Sequence, residues 1–257
     1  VYNNDNTCES VSEITGIAIP SYFEYTLKGS MSIHNELKTR NNTPASQNII
    51  NNDICALDDS DDDIDITNIS LKEWDTHSPP SIEQLLIISN QWDSIMSGYD
   101  HKLQQITKYN WLSASNLDTA INYMNELNLS PNAKFEEEYE IEPCNDTMMK
   151  FLTGYIDIID GKNVYEIKCT ESIETEHFIQ LAIYMYMYRY IHPYADDTNF
   201  ILYNVLNGEK YKITATIQNL QNIIRDLFSF KFSKQNKLDS DSCFYEKQHK
   251  YINKLIY

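Results

Sequence analysis

The sequence has 257 residues, of which 42% are apolar and 23% charged, enough for one large or two small domains with a buried core. No stretch approaches the roughly 18 consecutive apolar residues that a membrane-spanning helix needs, and no signal-peptide pattern opens the chain. The five cysteines are scattered without a C-x-x-C pair, which argues against a zinc ribbon, an iron–sulfur cluster or a dense disulfide framework. We therefore expect a soluble intracellular protein with free thiols and no membrane partner. Because the first residue is valine, we also expect an excised domain or a processed product.

The net charge of −18 is distributed unevenly along the chain. Residues 1–80 hold 14 acidic and 4 basic side chains, whereas residues 231–257 hold six lysines and three acidic residues. The composition therefore neither demands nor excludes a polyanionic partner. The chain has many asparagines, isoleucines and tyrosines but three arginines, a bias typical of AT-rich genomes such as those of large DNA viruses, protists or low-GC bacteria.

The first 80 residues are rich in Asn and Ser, contain an acidic run at 58–65 and end with two prolines. Because dense like charges repel one another and resist packing, we expect a segment that is partly disordered or docks on the folded part. The apolar run at 14–23 could add a strand or a helix. Ordered structure is expected to begin at Ser81.

Helical patterns follow residue 80. The sequence Ser81-Ile82-Glu83-Gln84 is a capping box, and Gly98 ends the helix that it starts. A second helical stretch is expected at 101–109 and a third after Asn116, which we interpret as its cap. These patterns predict a helical region over 81–130.

After residue 131 the apolar period changes to that of strands. The dipeptides Asp160-Gly161 and Asn207-Gly208 mark tight turns between neighbouring strands. The predicted strands span 135–141, 151–159, 164–169, 200–206 and 210–215, and the predicted helices span 175–191 and 217–228. This order indicates an α/β domain over 131–230, followed by a basic segment at 231–257.

Three polar side chains are expected to converge on one face of the predicted sheet. Residues two apart in a strand share a face, so Glu166 and Lys168 point the same way, and a hairpin places Asp157 beside them. Carboxylates hold hard divalent cations, which activate water and stabilise charge on a scissile phosphate. A lysine can orient the nucleophile or neutralise developing charge. The pattern therefore favours a magnesium-dependent phosphodiesterase. In the following helix, Gln180 and Tyr184 lie at i and i+4 and can face the same site.

This arrangement resembles the PD-(D/E)XK nuclease superfamily, specifically its RecB-like branch with the helical signature Q-x-x-x-Y, over residues 81–230. The resemblance implies a restriction-endonuclease-like core with a mixed central β-sheet flanked by helices. It also implies a DNA exonuclease or end-processing enzyme of replication, recombination or repair that uses Mg²⁺ or Mn²⁺, with two bound ions. A helicase or another replication or repair protein is the implied partner. The chain lacks the iron–sulfur cysteines of some relatives, which excludes that subgroup, and it contains no helicase motor.

The resemblance assigns roles residue by residue. It implies that Asp157 and Glu166 are metal-binding carboxylates, that Ile167 supplies a main-chain carbonyl to the metal, and that Lys168 is the catalytic lysine. An upstream metal ligand after a glycine is matched more loosely by His101, which follows Gly98-Tyr-Asp.

The same resemblance assigns substrate contacts. Gln180 and Tyr184 match the helical pair that supports the site and the DNA end. In the basic C-terminal segment, Lys231, Lys234 and Lys237 are candidate contacts to DNA phosphates. Lysines in such a segment most often form a solvated face, and this alternative stays open.

Simpler interpretations remain open at this level. Asp157 and Glu166 could be solvated strand residues, with Lys168 as an ordinary ion-pair partner. His101 could be an exposed residue at a helix start. The run Glu136-Glu137-Glu138 could be a solvated strand entry, although Glu137 could replace His101 near the metal.

Two rival classes follow from these alternatives. In the first, the nuclease fold is a catalytically inactive module for DNA binding or protein docking. In the second, the chain is an unrelated α/β binding domain, which a large separation between Asp157 and Glu166 would reveal. An intact set of Asp157, Glu166 and Lys168 favours the enzyme, because a scaffold has no need of clustered carboxylates.

Overall fold

The computed structural model of the protein describes residues 8–41, 74, 78–98, 106 and 108–232. His101, Lys234 and Lys237 lie outside the described residues, as does the acidic run at 58–65. The chain divides into two compact units, Val1–Met124 and Asn125–Tyr257. This division falls downstream of residue 80, because helices before and after that residue belong to one unit.

The helices described in the first unit are α1 (Cys8–Lys28), α2 (Ser32–Asn41), α3 (Ile82–Ser97) and α4 (Ala114–Glu126), whose last two residues lie past the unit boundary. Both α1 and α2 pack against α3. Apolar side chains on α1 are buried at helical spacing, among them Ile14 and Phe23. The buried carboxylate of Glu24 accepts hydrogen bonds from the main-chain nitrogen and the hydroxyl of Ser32, which tethers the start of α2.

The expectation that ordered structure begins at Ser81 is wrong, because residues 8–41 form α1 and α2. The apolar run at 14–23, for which a strand or a helix was left open, lies within α1. The capping box at Ser81 is confirmed, and Gly98 ends α3 with a left-handed φ of 70°. The cap of α4 is Ser113, whose hydroxyl accepts from the main-chain nitrogen of Asn116, so the assignment of Asn116 as the cap is wrong. In the predicted helix at 101–109, Lys108 and Tyr109 are not helical.

The second unit is an α/β fold with a mixed five-stranded sheet in the order β1-β2-β3-β4-β5. The strands β1, β2 and β3 pair antiparallel, β3 and β4 pair parallel, and β4 and β5 pair antiparallel. The strands are β1 (Lys134–Ile141), β2 (Leu152–Asp160), β3 (Asn163–Lys168), β4 (Asn199–Asn204) and β5 (Lys210–Ile213). Gly161 and Gly208 provide the left-handed φ values of 58° and 74° that the two predicted turns require.

Helix α5 (Thr175–Ile191) connects the parallel strands β3 and β4, and α6 (Ile217–Phe232) follows β5. The two helices pack against each other, and α5 also packs on β1 and β4. The core of this unit includes Ile156, Val164 and Leu202 of the sheet together with Leu181 of α5 and Ile223 of α6. Because parallel strands expose their carboxyl ends at one sheet edge, the ends of β3 and β4 define the edge at which a ligand site is expected.

None of the helices formed by the described residues has the length and apolar character needed to cross a bilayer. The thiols of Cys144 and Cys169 are free.

Candidate active site

Asp157 lies where β2 and β3 separate. Their ladder runs from Asp160↔Asn163 to Ile158↔Tyr165, and the next residues toward this edge are Asp157 and Glu166. Beyond the last pair, the main-chain N–H of Ile167 donates to Oδ2 of Asp157 at 2.6 Å. The carboxylate thus replaces the ladder partner that a longer β2–β3 pairing would have supplied to this N–H.

The main-chain carbonyl of Ile167 points to the same edge of β3 as its N–H, because the two groups of one strand residue share a side. The neighbouring carbonyl of Lys168 points the other way and accepts from the main-chain nitrogen of Val205, next to β4, at 2.8 Å. The Ile167 carbonyl is therefore directed into the gap beside Asp157. It is a third oxygen donor at this point, along with the carboxylates of Asp157 and Glu166.

Glu166 and Lys168 form a buried ion pair. Nζ of Lys168 lies 2.6 Å from Oε1 of Glu166, whose side chain is 1% exposed. Burial, followed by the charge of Asp157, raises the pKa of Glu166 to about 8, although Lys168 opposes the shift. Burial lowers the pKa of Lys168, but the carboxylates of Glu166 and Asp157 outweigh it and raise the pKa above its usual value. The ammonium of Lys168 is therefore charged at neutral pH.

The second oxygen of Glu166, Oε2, is buried and has no hydrogen-bond partner. Burial also raises the pKa of Asp157, against the charge of Lys168 and the N–H of Ile167. Two crowded carboxyl groups with an unsatisfied buried oxygen are costly unless a ligand compensates for them. A divalent cation that prefers oxygen ligands fits this donor set. The described residues contain no group of three His, Cys, Asp or Glu side chains placed to hold a metal ion, so water would complete the coordination.

A chain of hydrogen bonds connects the lysine to α5. Nζ of Lys168 donates to Oε1 of Gln180 at 2.8 Å, and Nε2 of Gln180 donates to the hydroxyl of Tyr184 at 3.1 Å. Burial and the charges of Glu166 and Asp157 raise the pKa of Tyr184 well above its usual value, so its hydroxyl stays protonated. The structure therefore brings together five predicted site residues: Asp157, Glu166, Lys168, Gln180 and Tyr184.

Gly154 lies on β2, three residues before Asp157, and sequence reasoning assigns it no role. A Cβ atom at this position would lie 2.9 Å from Cε1 of Tyr184, closer than side chains tolerate. Because Gly154 has no side chain, the ring of Tyr184 can pack against β2, and its hydroxyl accepts the hydrogen bond from Gln180. A glycine followed three residues later by Asp157 was the available sequence signal.

We expect Gly154→Ala to lower turnover by about 10–100-fold, because the added methyl group displaces Tyr184 and through it Gln180. The matched control is Gly161→Ala in the β2–β3 turn, where a Cβ would meet nothing within 4 Å but φ is +58°. That control should cost about 1 kcal/mol of unfolding free energy and little activity. Equal activity losses in both variants, measured with thermal denaturation and a turnover assay, would contradict the role of Gly154.

The remaining candidates are not joined to this site by described contacts. Lys231 is exposed in the last turn of α6, with Nζ 5.5 Å from the ring centroid of Phe232, and no described hydrogen bond or ion pair connects it to the five residues. Glu137 forms an ion pair with Lys134 on the same strand at 3.0 Å. The ligand role of His101 and the phosphate contact of Lys234 stay predictions, because both residues lie outside the described part of the chain.

Comparison of the chain with known protein families, with curated proteins and with solved structures gave no match.

Proposed function

We propose that the protein is a divalent-cation-dependent deoxyribonuclease with a restriction-endonuclease-like core of the RecB-like PD-(D/E)XK type. The observation that carries the proposal is the buried Glu166–Lys168 pair, with Oε2 of Glu166 unpartnered and Asp157 held beside it by the N–H of Ile167. An unrelated binding domain gives no reason for these groups to converge. In a fortuitous motif, Asp157 and Glu166 would lie far apart. Here they follow directly after the last residue pair of β2 and β3.

In this proposal Asp157, Glu166 and the carbonyl of Ile167 hold Mg²⁺ or Mn²⁺ through oxygen. The bound cation supplies Lewis-acid chemistry, lowering the pKa of water and stabilising charge on the phosphate. Lys168 orients the attacking water or neutralises charge that develops on the phosphate. Its ammonium is held by Glu166 on one side and Gln180 on the other, which restricts it to one position.

The DNA substrate rests on the resemblance of motifs, and a cleavage assay tests it. End-labelled single-stranded and double-stranded DNA, with RNA of the same sequence as control, is incubated with Mg²⁺, Mn²⁺, Ca²⁺ or chelator. We expect cleavage of DNA with Mg²⁺ or Mn²⁺ and none with chelator, and the ladder of products reports polarity. Binding of DNA without cleavage under every metal condition would instead support the inactive module.

We expect Gln180→Ala to lower turnover by about 10–100-fold, since Lys168 loses the acceptor that orients it. Tyr184→Phe should cost less, roughly fivefold, because it removes a single neutral hydrogen bond to Gln180. Both variants should bind divalent cations like the wild type, since neither side chain is a proposed ligand. Turnover at saturating Mn²⁺ measures the effect. Wild-type turnover in the double variant Gln180→Ala, Tyr184→Phe would show that the Q-x-x-x-Y pair has no part in catalysis.

A further inference from the structure

Glu136 has an unusual backbone conformation in the middle of β1. Its φ is +51°, in the left-handed region that a β-carbon disfavours. The other described non-glycine residues with positive φ, Asn128, Met148 and Met149, lie outside strands and helices. A bulky residue in this conformation inside a strand persists only where the surrounding structure or a function maintains it.

The distortion lies directly opposite Asp157. The β1–β2 ladder contains Phe135↔Ile158 and Glu137↔Ile156, and the position between these pairs places Glu136 across from Asp157. Directly opposed residues of an antiparallel pair are cross-strand neighbours. The register therefore places Glu136 beside the proposed metal-binding aspartate in the sheet, at a cost in backbone strain.

The side-chain alternation of β2 also changes here. Ile156 and Ile159 both belong to the core, although residues three apart in a regular strand point to opposite faces. Asp157 lies two residues before Ile159, which pairs with Val164, so Asp157 shares the face that carries Glu166.

The charge of Glu136 reaches the site. It is one of the charges that raise the pKa of Tyr184, after burial and the carboxylates of Glu166 and Asp157. An independent feature of the same site points to a ligand, namely the buried and unpartnered Oε2 of Glu166. Since the described residues contain no three-residue metal cluster, direct ligation by Glu136 is not the geometry that the structure has.

Mg²⁺ in proteins usually keeps several of its waters and binds one or two carboxylates directly. We propose that Glu136 is a positioning residue that accepts hydrogen bonds from the water shell of a divalent cation held by Asp157 and Glu166. This inference rests on the proposed function, because it requires the cation. It adds a residue from β1 that the resemblance did not assign.

The test measures cation binding rather than turnover. Affinity for Mn²⁺ is followed by electron paramagnetic resonance of the free ion, and unfolding temperatures are measured with chelator. The variants are Glu136→Gln, which keeps the shape, and Glu136→Gly, which also removes the backbone strain. Glu138→Gln is the matched control, since Glu138 is an exposed acidic residue of the same strand.

We expect both Glu136 variants to bind Mn²⁺ about 10–100-fold more weakly than the wild type, and Glu138→Gln to bind equally well. In chelator, Glu136→Gly should unfold roughly 2–4 °C above the wild type, because glycine accepts a positive φ. Wild-type affinity in Glu136→Gln and Glu136→Gly would overturn the inference.

Glu166→Gln distinguishes this inference from the proposed function. If the wild type binds Mn²⁺ and Glu166→Gln does not, the metal site stands, and the Glu136 variants decide the role of Glu136. If Glu166→Gln binds Mn²⁺ like the wild type, or the wild type binds none, the proposed metal site fails, and the role of Glu136 fails with it.

Discussion

If the proposed function holds, Glu166→Gln is expected to abolish DNA cleavage, lowering turnover by roughly 10³-fold or more, because loss of the proposed metal ligand removes several kcal/mol of transition-state stabilisation. The substitution keeps the shape of the side chain and removes the charge. Asp157→Asn and Lys168→Met should have effects of the same order. If Glu166→Gln, with Mg²⁺ present, turned over DNA within tenfold of the wild-type rate, the proposed function would be wrong.

Glu166→Gln is also expected to change how the free energy of unfolding depends on pH, and this effect can be measured without DNA. Burial and Asp157 raise the pKa of Glu166 from 4.5 to about 8 in the folded protein. A carboxyl group whose pKa rises on folding contributes stability that is complete below pH 4.5 and is lost as pH rises toward 8. The metal-free wild type should therefore lose stability across this interval, and Glu166→Gln should lose less.

Denaturant unfolding in chelator at several pH values measures this difference. Glu138→Gln is again the control, and it should follow the wild type, because its carboxylate is exposed. Parallel pH curves for the wild type and Glu166→Gln would show that Glu166 is ionised to the same extent in the folded and unfolded states.

Deletion of residues 1–80 is expected to prevent soluble folding. It removes α1 and α2, which pack on α3, and exposes the apolar side chains of α3 such as Leu86 and Trp92. Each fully buried aliphatic or aromatic side chain contributes about 1.5–3 kcal/mol, so losing several exceeds the 5–15 kcal/mol that stabilises a typical domain. Soluble yield and circular dichroism of the truncated chain measure the outcome.

Two variants separate packing from charge in that experiment. Phe23→Ala in α1, where the side chain is 3% exposed, should cost about 3–5 kcal/mol of unfolding free energy without changing charge. Replacement of the six aspartates at 58–65 by asparagine removes charge and keeps both helices. If the truncated chain is soluble and folded while the asparagine variant is not, the packing argument is wrong.

The elements of the second unit follow closely from sequence, because their signals are local. The tight turn at Asp160-Gly161 needs a residue with left-handed φ, which Gly161 supplies. The turn sets the register of β2 against β3, and this register places Asp157 beside Glu166. The i and i+4 spacing of Gln180 and Tyr184 depends only on α5 being a helix.

Features that depend on tertiary context could not be predicted. Nothing about a glutamate indicates that Glu136 adopts a φ of +51°, since that conformation exists only where β1 meets β2. The close approach of Tyr184 to Gly154 requires α5 to be placed on the sheet. Helix α1 covers the apolar run at 14–23 that left a strand or a helix open, whereas α2 gave no such signal because its sequence is mostly polar.

The contacts that build the site span short stretches of chain. The bonds from Ile167 to Asp157 and from Lys168 to Gln180 join residues 10 and 12 positions apart. Closing such short loops costs little conformational entropy, and topologies rich in local contacts fold quickly. We therefore expect the β2–β3–α5 region to gain native structure early in refolding. Pulse-labelled hydrogen exchange would detect this as early protection of the Ile167 amide, before protection spreads to β1.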